Sequence, residues 1–454
     1  MKEPGAVLLV ACYELGHQPL SVAWPAAFLE RRGYAPDVMD VSVEPFDAAK
    51  VKRARVVAIS VPMHTALRLG VGVAERVRAV NPGCHVCFYG LYAVLNADWL
   101  LATCADSVLA GELEPQLGDL IERVERGEAS QGAPPLLDKL PFPVPSRNAL
   151  PSLKKYAHLE RDGRLELTGY VEASRGCKHR CRHCPIPPVY GGRFFVVPRD
   201  VVLADVRQLV AAGARHITFG DPDFLNGPGH ALAVARALHA EFPDVTFDVT
   251  TKVEHLLRQR RVLPELATLG CAFVVSAVES LSDTVLSHLD KGHTRDDIVK
   301  ALALTRAAGL VLRPTWVAFT PWTTLDDYRE MLAFIARERL VDHVDSVQYS
   351  IRLLVPPGSL LLESPAMRPH LGELMQEAFC HRWAHPDPRM DQLHAEVSAA
   401  VADAAERTED AALTFARVVA LADAAAGITT PQRMDIAPAQ DRRRPPRLTE
   451  PWFC

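Results

Sequence analysis

Apolar and polar positions fall into two long alternations separated by a proline-rich stretch. In the first, short β-branched and apolar runs at 7–12, 37–41, 56–61, 85–89 and 107–110 read as strands. Amphipathic stretches between them, such as 21–32 and 68–80, read as helices, the second closed by Asn81-Pro-Gly. The second alternation predicts strands at 169–174, 215–220, 244–250, 271–277, 311–318 and 346–351. Its helices fall at 199–212, 229–241, 254–268, 295–308 and 324–337. Arg161-Asp-Gly-Arg164 reads as a hairpin turn leading into the first of these strands.

Strand and helix in alternation require parallel strands with crossover helices. The predicted fold class is therefore α/β: an N-terminal doubly wound, flavodoxin-like parallel sheet, then a partial TIM-type barrel of six strand-helix units, then a helical C-terminal region. Between the two sheets, Gln131-Gly-Ala-Pro-Pro135 and Pro141-Phe-Pro-Val-Pro-Ser146 fix an extended path and remove backbone donors. The expected divisions are an N-terminal domain over 1–128, a linker over 129–152, a core over 153–360, a helical region over 361–430 and an extended basic tail over 431–454. No convincing strand is read in 361–427, where 392–404 and 411–424 favour helix by composition.

Composition changes this picture little. The 454 residues are 48% hydrophobic and 23% charged, with a net charge of -5, which argues against a generic nucleic-acid or anionic-membrane binder. No apolar run approaches a membrane span, and the run from Ala6 to Cys12 is too short for a signal sequence. Ten cysteines, three of them clustered, fit a reducing cytoplasm and a metal cofactor better than a disulfide framework.

Those three, Cys177, Cys181 and Cys184, stand in a C-x3-C-x2-C spacing in the loop after the first strand of the second alternation. Three thiolates so placed can hold three irons of a [4Fe-4S] cluster and leave the fourth open. The alternatives are a zinc site, which ordinarily recruits four ligands in two C-x2-C pairs, and three unrelated cysteines. Lys178, His179, Arg180, Arg182 and His183 intersperse the cysteines with positive charge, which favours thiolates and a reduced cluster.

The spacing and its neighbours resemble the radical S-adenosylmethionine (SAM) family. The resemblance implies that SAM chelates the open iron and is cleaved reductively, and that the barrel is open and carries its chemistry at the C-terminal strand ends. It also implies SAM-binding residues. Gly220-Asp221-Pro222-Asp223 stands where the family has a Gly-Gly-Glu-Pro or acidic equivalent, making Gly220 and Asp221 candidates for the SAM ammonium; the competing reading is a simple Asp-Pro turn. Ser276 and Glu279 resemble the polar stretch that contacts the ribose and carboxylate of SAM, and Arg313 is a candidate partner for that carboxylate, or else a structural salt bridge. Lys291-Gly-His-Thr294 resembles a stretch of the cobalamin-type members, with Thr294 alternatively a helix N-cap.

The first alternation, with Gly111-Glu112-Leu-Glu114 after its last strand, resembles the cobalamin-binding domains that precede many radical SAM cores. It lacks their D-x-H-x-x-G motif and offers only His17 near the rim, so cobalamin binding and an emptied scaffold both stay open. Cys84 and Cys87 form a C-x-x-C that reads more simply as two buried strand cysteines.

Leu448 to Cys454, with the stretch from Cys12 to Leu20, resembles a radical SAM group named for a Cys-Cys-Ala-Glu-Pro or Cys-selenocysteine-Ala-Glu-Pro tail. This implies a selenoprotein candidate that continues past Cys454 through a UGA codon, with Cys454 a catalytic thiol fitted to a thiophilic atom; the alternative is an incidental cysteine on a loose tail. The expected function is radical SAM chemistry on a small molecule, supported by a reductant of flavodoxin or ferredoxin type. Methyl and 3-amino-3-carboxypropyl transfer are the finer readings. A non-catalytic iron-sulfur electron-transfer or sensor protein and a cobalamin-reading regulatory module are the competitors.

Overall fold

The computed structural model describes residues 1–128, 133–428, 442 and 444–450. Strands β1 (Val7–Ala11), β2 (Asp37–Asp40), β3 (Val56–Ser60), β4 (His85–Tyr89) and β5 (Ser107–Leu109) form one parallel sheet in the order β2-β1-β3-β4-β5. All five residues of β1 and of β3 are buried, because helices cover both faces of the sheet. Cys84 packs in the core on one face and Cys87 in the core on the other, so this pair is structural. The order is that of a doubly wound fold, whose ligand crevice lies beyond the C-terminal strand ends.

The second sheet begins with an antiparallel hairpin, β6 (His158–Arg161) and β7 (Arg164–Val171), turned at Asp162 and Gly163, both at positive φ as such two-residue turns demand. A small ribbon, β8 (Ser174–Gly176) with β9 (Phe194–Val196), frames the cysteine loop. Then come β10 (His216–Phe219), β11 (Thr246–Thr250), β12 (Cys271–Glu279) and β13 (Val311–Trp316), all parallel to β7. A ribbon of β14 (Leu371–Met375) and β15 (Cys380–Trp383) follows, and the two residues of β16 (Arg447–Leu448) add to β6. The sheet order is β13-β12-β11-β10-β7-β6-β16, a curled half-barrel.

Three expectations are corrected here. The sixth strand, 346–351, is a 3-10 turn, Ser346–Tyr349, so the half-barrel has five parallel strands. Gln348 in that turn is spent on the backbone N–H of Trp316, at the end of β13. The region 361–427 does contain a hairpin, though its helices Pro388–Glu406 and Ala411–Ala425 are present. The tail is not simply solvated. Arg442 and Arg444 pair with Asp410, Arg447 pairs with Glu160, and Glu450 is buried near His17.

Pleat parity sorts the half-barrel's two faces. A Cβ on Gly169 would strike Leu209 and Ile217, so 169 and 171 face the helices while Thr168 and Tyr170 face the lumen. Across the parallel register, His216, Thr218, Asp248, Phe273 and Arg313 share that inner face. It is polar: His216 and Thr218 both bond Asp248, at 2.9 and 2.7 Å.

The two sheets are pinned together through the linker and the cysteine loop. Arg147 of the linker donates to both oxygens of buried Asp205, at 2.6 and 2.7 Å, to Gln18 and to the Tyr170 carbonyl. Arg175, beside the cysteines, reaches Glu112 and Glu114 of the first sheet's rim as well as Glu172 of the barrel.

Candidate functional site

The loop carrying Cys177, Cys181 and Cys184 leaves the C-terminal end of β7, where half-barrel chemistry belongs. Cys177 and Cys181 are buried, and Cys184 is partly so. Gly176 enters the loop at φ 72, and a Cβ there would meet the Arg193 carbonyl at 2.4 Å, so only glycine fits where β8 meets β9. Burial pushes the Cys184 thiol up to about 12 and raises that of Cys177, against the hydrogen bond that the Asn226 amide donates to Cys177 Sγ (3.5 Å).

The donor set discriminates between metals. A tetrahedral zinc bound at about 2.3 Å holds its sulfurs roughly 3.8 Å apart. The three cysteine sulfurs do not gather as a set within 4.8 Å. Three thiols on one loop, not drawn together as a zinc site would hold them, suit the three ligated irons of a [4Fe-4S] cluster.

Around the loop the structure builds two polar networks. Glu279, at the end of β12 and at φ 66, accepts from Lys291 Nζ at 3.0 Å and lies 3.2 Å from His183 Nε2. Burial pushes the Glu279 carboxyl up, but Lys291 and His183 hold it well below the usual carboxylate range. Lys291 is itself 3% exposed. Burial disfavours its charge, but Glu279 and the thiols of Cys181 and Cys184 outweigh that and raise its pKa. The second network joins His179, Asp223 and His255, with Lys252 and Glu254 beside them. Burial first, then Lys252, pushes His179 down to about 4.

The sequence candidates divide. Glu279 stands at the cluster loop. Gly220 is required for space, since a Cβ there would meet the Tyr170 hydroxyl at 2.2 Å. Asp221 is buried and already engaged: Oδ2 accepts from Ala173 N at 2.9 Å and Oδ1 from the Ser174 hydroxyl. Burial pushes it up to about 7 despite these bonds, so it fastens the start of the cysteine loop to β10. Of the two aspartates in this stretch, it is Asp223 that has a buried oxygen lacking a hydrogen-bond partner.

Ser276 is a correction. It shares a face with Val274 and Val278, which pack into the helix-covered core, whereas Val275 and Ala277 face the lumen. Arg313 faces the lumen but in the half of β13 away from the cysteine loop, where it binds Asp345 at 2.8 Å and the Pro446 carbonyl at 3.4 Å. His17 is not a rim ligand either. It stacks on Tyr170 with ring centroids 4.5 Å apart and sits 3.6 Å from Glu450, and burial pushes it down to about 4. Thr294 caps its helix in a capping box with Asp297. Cys454 lies outside the described residues.

Sequence reasoning missed Asn226, Asp223, Lys252 and His255 as parts of the site. Their signal was position alone, since each lies just beyond the end of a barrel strand.

Residues 171–335 match the family model described as the Radical SAM superfamily. This chain carries a radical SAM domain. Such a domain implies a [4Fe-4S] cluster and SAM, and the three thiols fit the cluster. The hopanoid C-3 methylase of Methylococcus capsulatus is 25% identical over 324 residues, 66% of this chain and 62% of that protein. The chain thus matches less than two thirds of that relative's length. Two solved structures resemble the fold. The cobalamin-dependent radical SAM enzyme OxsB, with aqua-cobalamin and SAM bound, aligns over 88% of this chain and 67% of its own at TM-score 0.69 and 15% identity. The radical SAM methyltransferase TsrM of Kitasatospora setae, with tryptophan and a SAM analogue bound, aligns over 74% and 71% at TM-score 0.58 and 17% identity. Among the described residues no helix is long and apolar enough to cross a membrane.

Proposed function

We propose that the protein is a radical SAM methyltransferase that uses a corrinoid held between its two sheets. The observation that carries this reading is the convergence of two C-terminal strand ends on one loop. Ala110, just past β5, packs with Val189 and Tyr190 of the helix that follows the cysteines. Glu112 accepts from the Tyr190 hydroxyl at 3.0 Å. Tyr92, beyond β4, lies close enough to Cys184 for the thiolate's charge to bear on it. The doubly wound sheet therefore presents its ligand crevice to the cysteine loop, where a planar cofactor and SAM would meet.

Cys177, Cys181 and Cys184 would hold the cluster, with Asn226 donating to one ligand and Lys291 compensating its negative charge. When bound, the cluster supplies the electron that splits SAM's sulfonium. His17, buried against Tyr170, is not available to ligate cobalt from below, so the corrinoid would be held without a histidine from this loop. Glu279 is the candidate for SAM's polar groups. A flavodoxin or ferredoxin type reductant would supply electrons. Transfer of the methyl group to a thiophilic atom is the finer form of this reading; aminocarboxypropyl transfer is the alternative, and it would leave 5'-methylthioadenosine instead of S-adenosylhomocysteine.

The test is anaerobic reconstitution with cluster and hydroxocobalamin, followed by SAM and dithionite. S-adenosylhomocysteine and a corrinoid retained through gel filtration support the reading. 5'-Deoxyadenosine without corrinoid retention leaves a radical SAM enzyme that is not a corrinoid methyltransferase. A cluster-loaded protein that leaves SAM intact returns the non-catalytic iron-sulfur protein.

A further inference from the structure

We propose that His179, Asp223 and His255 form a second metal site, for one divalent first-row transition ion such as Fe2+ or Zn2+, beside the cysteine loop. Among the described residues this is the only group of three or more His, Cys, Asp and Glu ligand atoms gathered within 4.8 Å. His179 Nε2 lies 3.3 Å from His255 Nε2 and 3.8 Å from Asp223 Oδ2, and His255 Nδ1 lies 2.8 Å from that same oxygen. Ligands about 2.1 Å from one ion stand roughly 3 to 3.5 Å apart. An imidazole gives one ion a single nitrogen, so the ion takes His255 through Nδ1, and the separations of 2.8 Å from Nδ1 and 3.8 Å from His179 Nε2 to Asp223 Oδ2 bracket that range.

The second observation is what these atoms lack. Asp223 is 0% exposed. Its Oδ1 is satisfied by Leu225 N (3.1 Å) and the Thr251 hydroxyl (2.8 Å). Its Oδ2, and His255 Nδ1 beside it, are buried without a hydrogen-bond partner: their 2.8 Å contact has the distance of a hydrogen bond but not its angle. A buried carboxylate oxygen left in that state is expensive, and a cation between the two atoms removes the expense.

The surroundings have the form that supports ligation. Glu254 Oε2 lies at an ion-pair distance of 3.6 Å from His179 Nδ1, so a carboxylate stands on the far side of the ring and Nε2 is left for the ion. Glu254 is in turn held by Lys252 (3.3 Å) and Arg258 (2.8 Å). Two imidazoles and one carboxylate are the donor set of iron and zinc sites that keep positions open for substrate or water. No cluster cysteine belongs to the set, so its occupancy is read separately from the cluster.

The experiment titrates the tag-free full chain, carrying its cluster, with Zn2+ in competition with a chromophoric chelator, while iron and sulfide per chain are measured in the same samples. The expected result is one tight equivalent of zinc beyond four cluster irons. His255→Ala and Asp223→Asn should each weaken it about 100-fold, and Glu254→Gln about tenfold, with cluster iron unchanged. If His255→Ala does not take up its cluster, His255→Gln keeps the volume and gives the same reading. Absence of a tight equivalent in the unaltered chain overturns the proposal, as does zinc binding that survives both ligand substitutions.

Discussion

Lys291 Nζ lies 3.0 Å from Glu279 Oε1, and neither side chain is more than 8% exposed. The pair joins the end of β12 to the cysteine loop through His183, at a residue whose φ of 66 only a well-determined site sustains. Removing one partner leaves an uncompensated buried charge, which destabilises by about 3 to 5 kcal/mol. Glu279→Gln is therefore expected to lower the denaturation midpoint strongly and to impair cluster uptake, whereas the double variant with Lys291→Met is milder than the sum. Because the folded Glu279 carboxyl is held below its unfolded range, its stabilisation is present above about pH 4.3 and is lost only as pH falls through the depressed folded value. Between pH 6 and 8 the penalty of Glu279→Gln should be flat, which urea unfolding at several pH values measures.

Arg175 carries the opposite sign. It is the single cation among Glu112, Glu114 and Glu172, and burial pushes Glu112 up to about 7 even with the guanidinium beside it. Arg175→Met leaves three carboxylates facing one another. The folded pKa values of Glu112 and Glu172, already raised by burial, then lie further above the unfolded ones, so the stability that remains is greatest at low pH and falls as pH rises through the raised values. The expected loss is about 3 to 5 kcal/mol near pH 8 and clearly less near pH 5.5, read from urea midpoints. A loss independent of pH would mean that the network is not carboxylate-dominated.

Gly220 owes its place to Tyr170. The ring stands over the glycine and itself receives His17 from the first sheet's loop. Gly220→Ala is expected to destabilise by roughly 2 kcal/mol through overpacking, and the double variant with Tyr170→Ala by less than the sum of the two. Additive losses in thermal unfolding would show that the glycine answers to something else.

What was legible follows from what local sequence determines. In the first sheet Val7–Ala11 is wholly apolar and 56–59 nearly repeats it, a pattern with little ambiguity, and Asp162-Gly163 sits where both residues need positive φ. The 346–351 run failed because an apolar hexamer does not show whether its backbone pairs with a neighbour. Here Gln348 bonds the Trp316 backbone from a 3-10 turn instead. Ser276 failed by one residue of pleat, since the alternation of β12 and not residue type decides which side chains see the lumen. Asp221 and Asp223 were indistinguishable in sequence, and only the contacts show that the first is consumed by Ala173 and Ser174. The tail was unreadable because its partners, Asp410, Glu160 and His17, come from three distant segments.

The tail gives the last prediction. Its strand β16 runs parallel to β7, and Glu450 then turns into the lumen among His17, Asp248, Asp345 and Arg313. Burial pushes the Glu450 carboxyl up to about 8, with Asp345 and Asp248 adding to the rise and Arg313 opposing it, while burial keeps His17 neutral. A carboxyl whose docked pKa exceeds its free value of about 4.3 binds a proton more readily when docked, so docking is strongest at low pH. It weakens as pH rises from about 5 towards 8. Arg442 and Arg444 also hold the segment, on Asp410, and Arg447 holds it on Glu160, so the comparison with Glu450→Gln isolates Glu450. Limited trypsin cleavage of the tail should therefore be several-fold faster at pH 8.5 than at pH 6, relative to an unfolded reference peptide cleaved under the same conditions. Glu450→Gln should hold the slow, low-pH rate throughout. Equal pH profiles for the two proteins would show that the tail is held by its arginines alone.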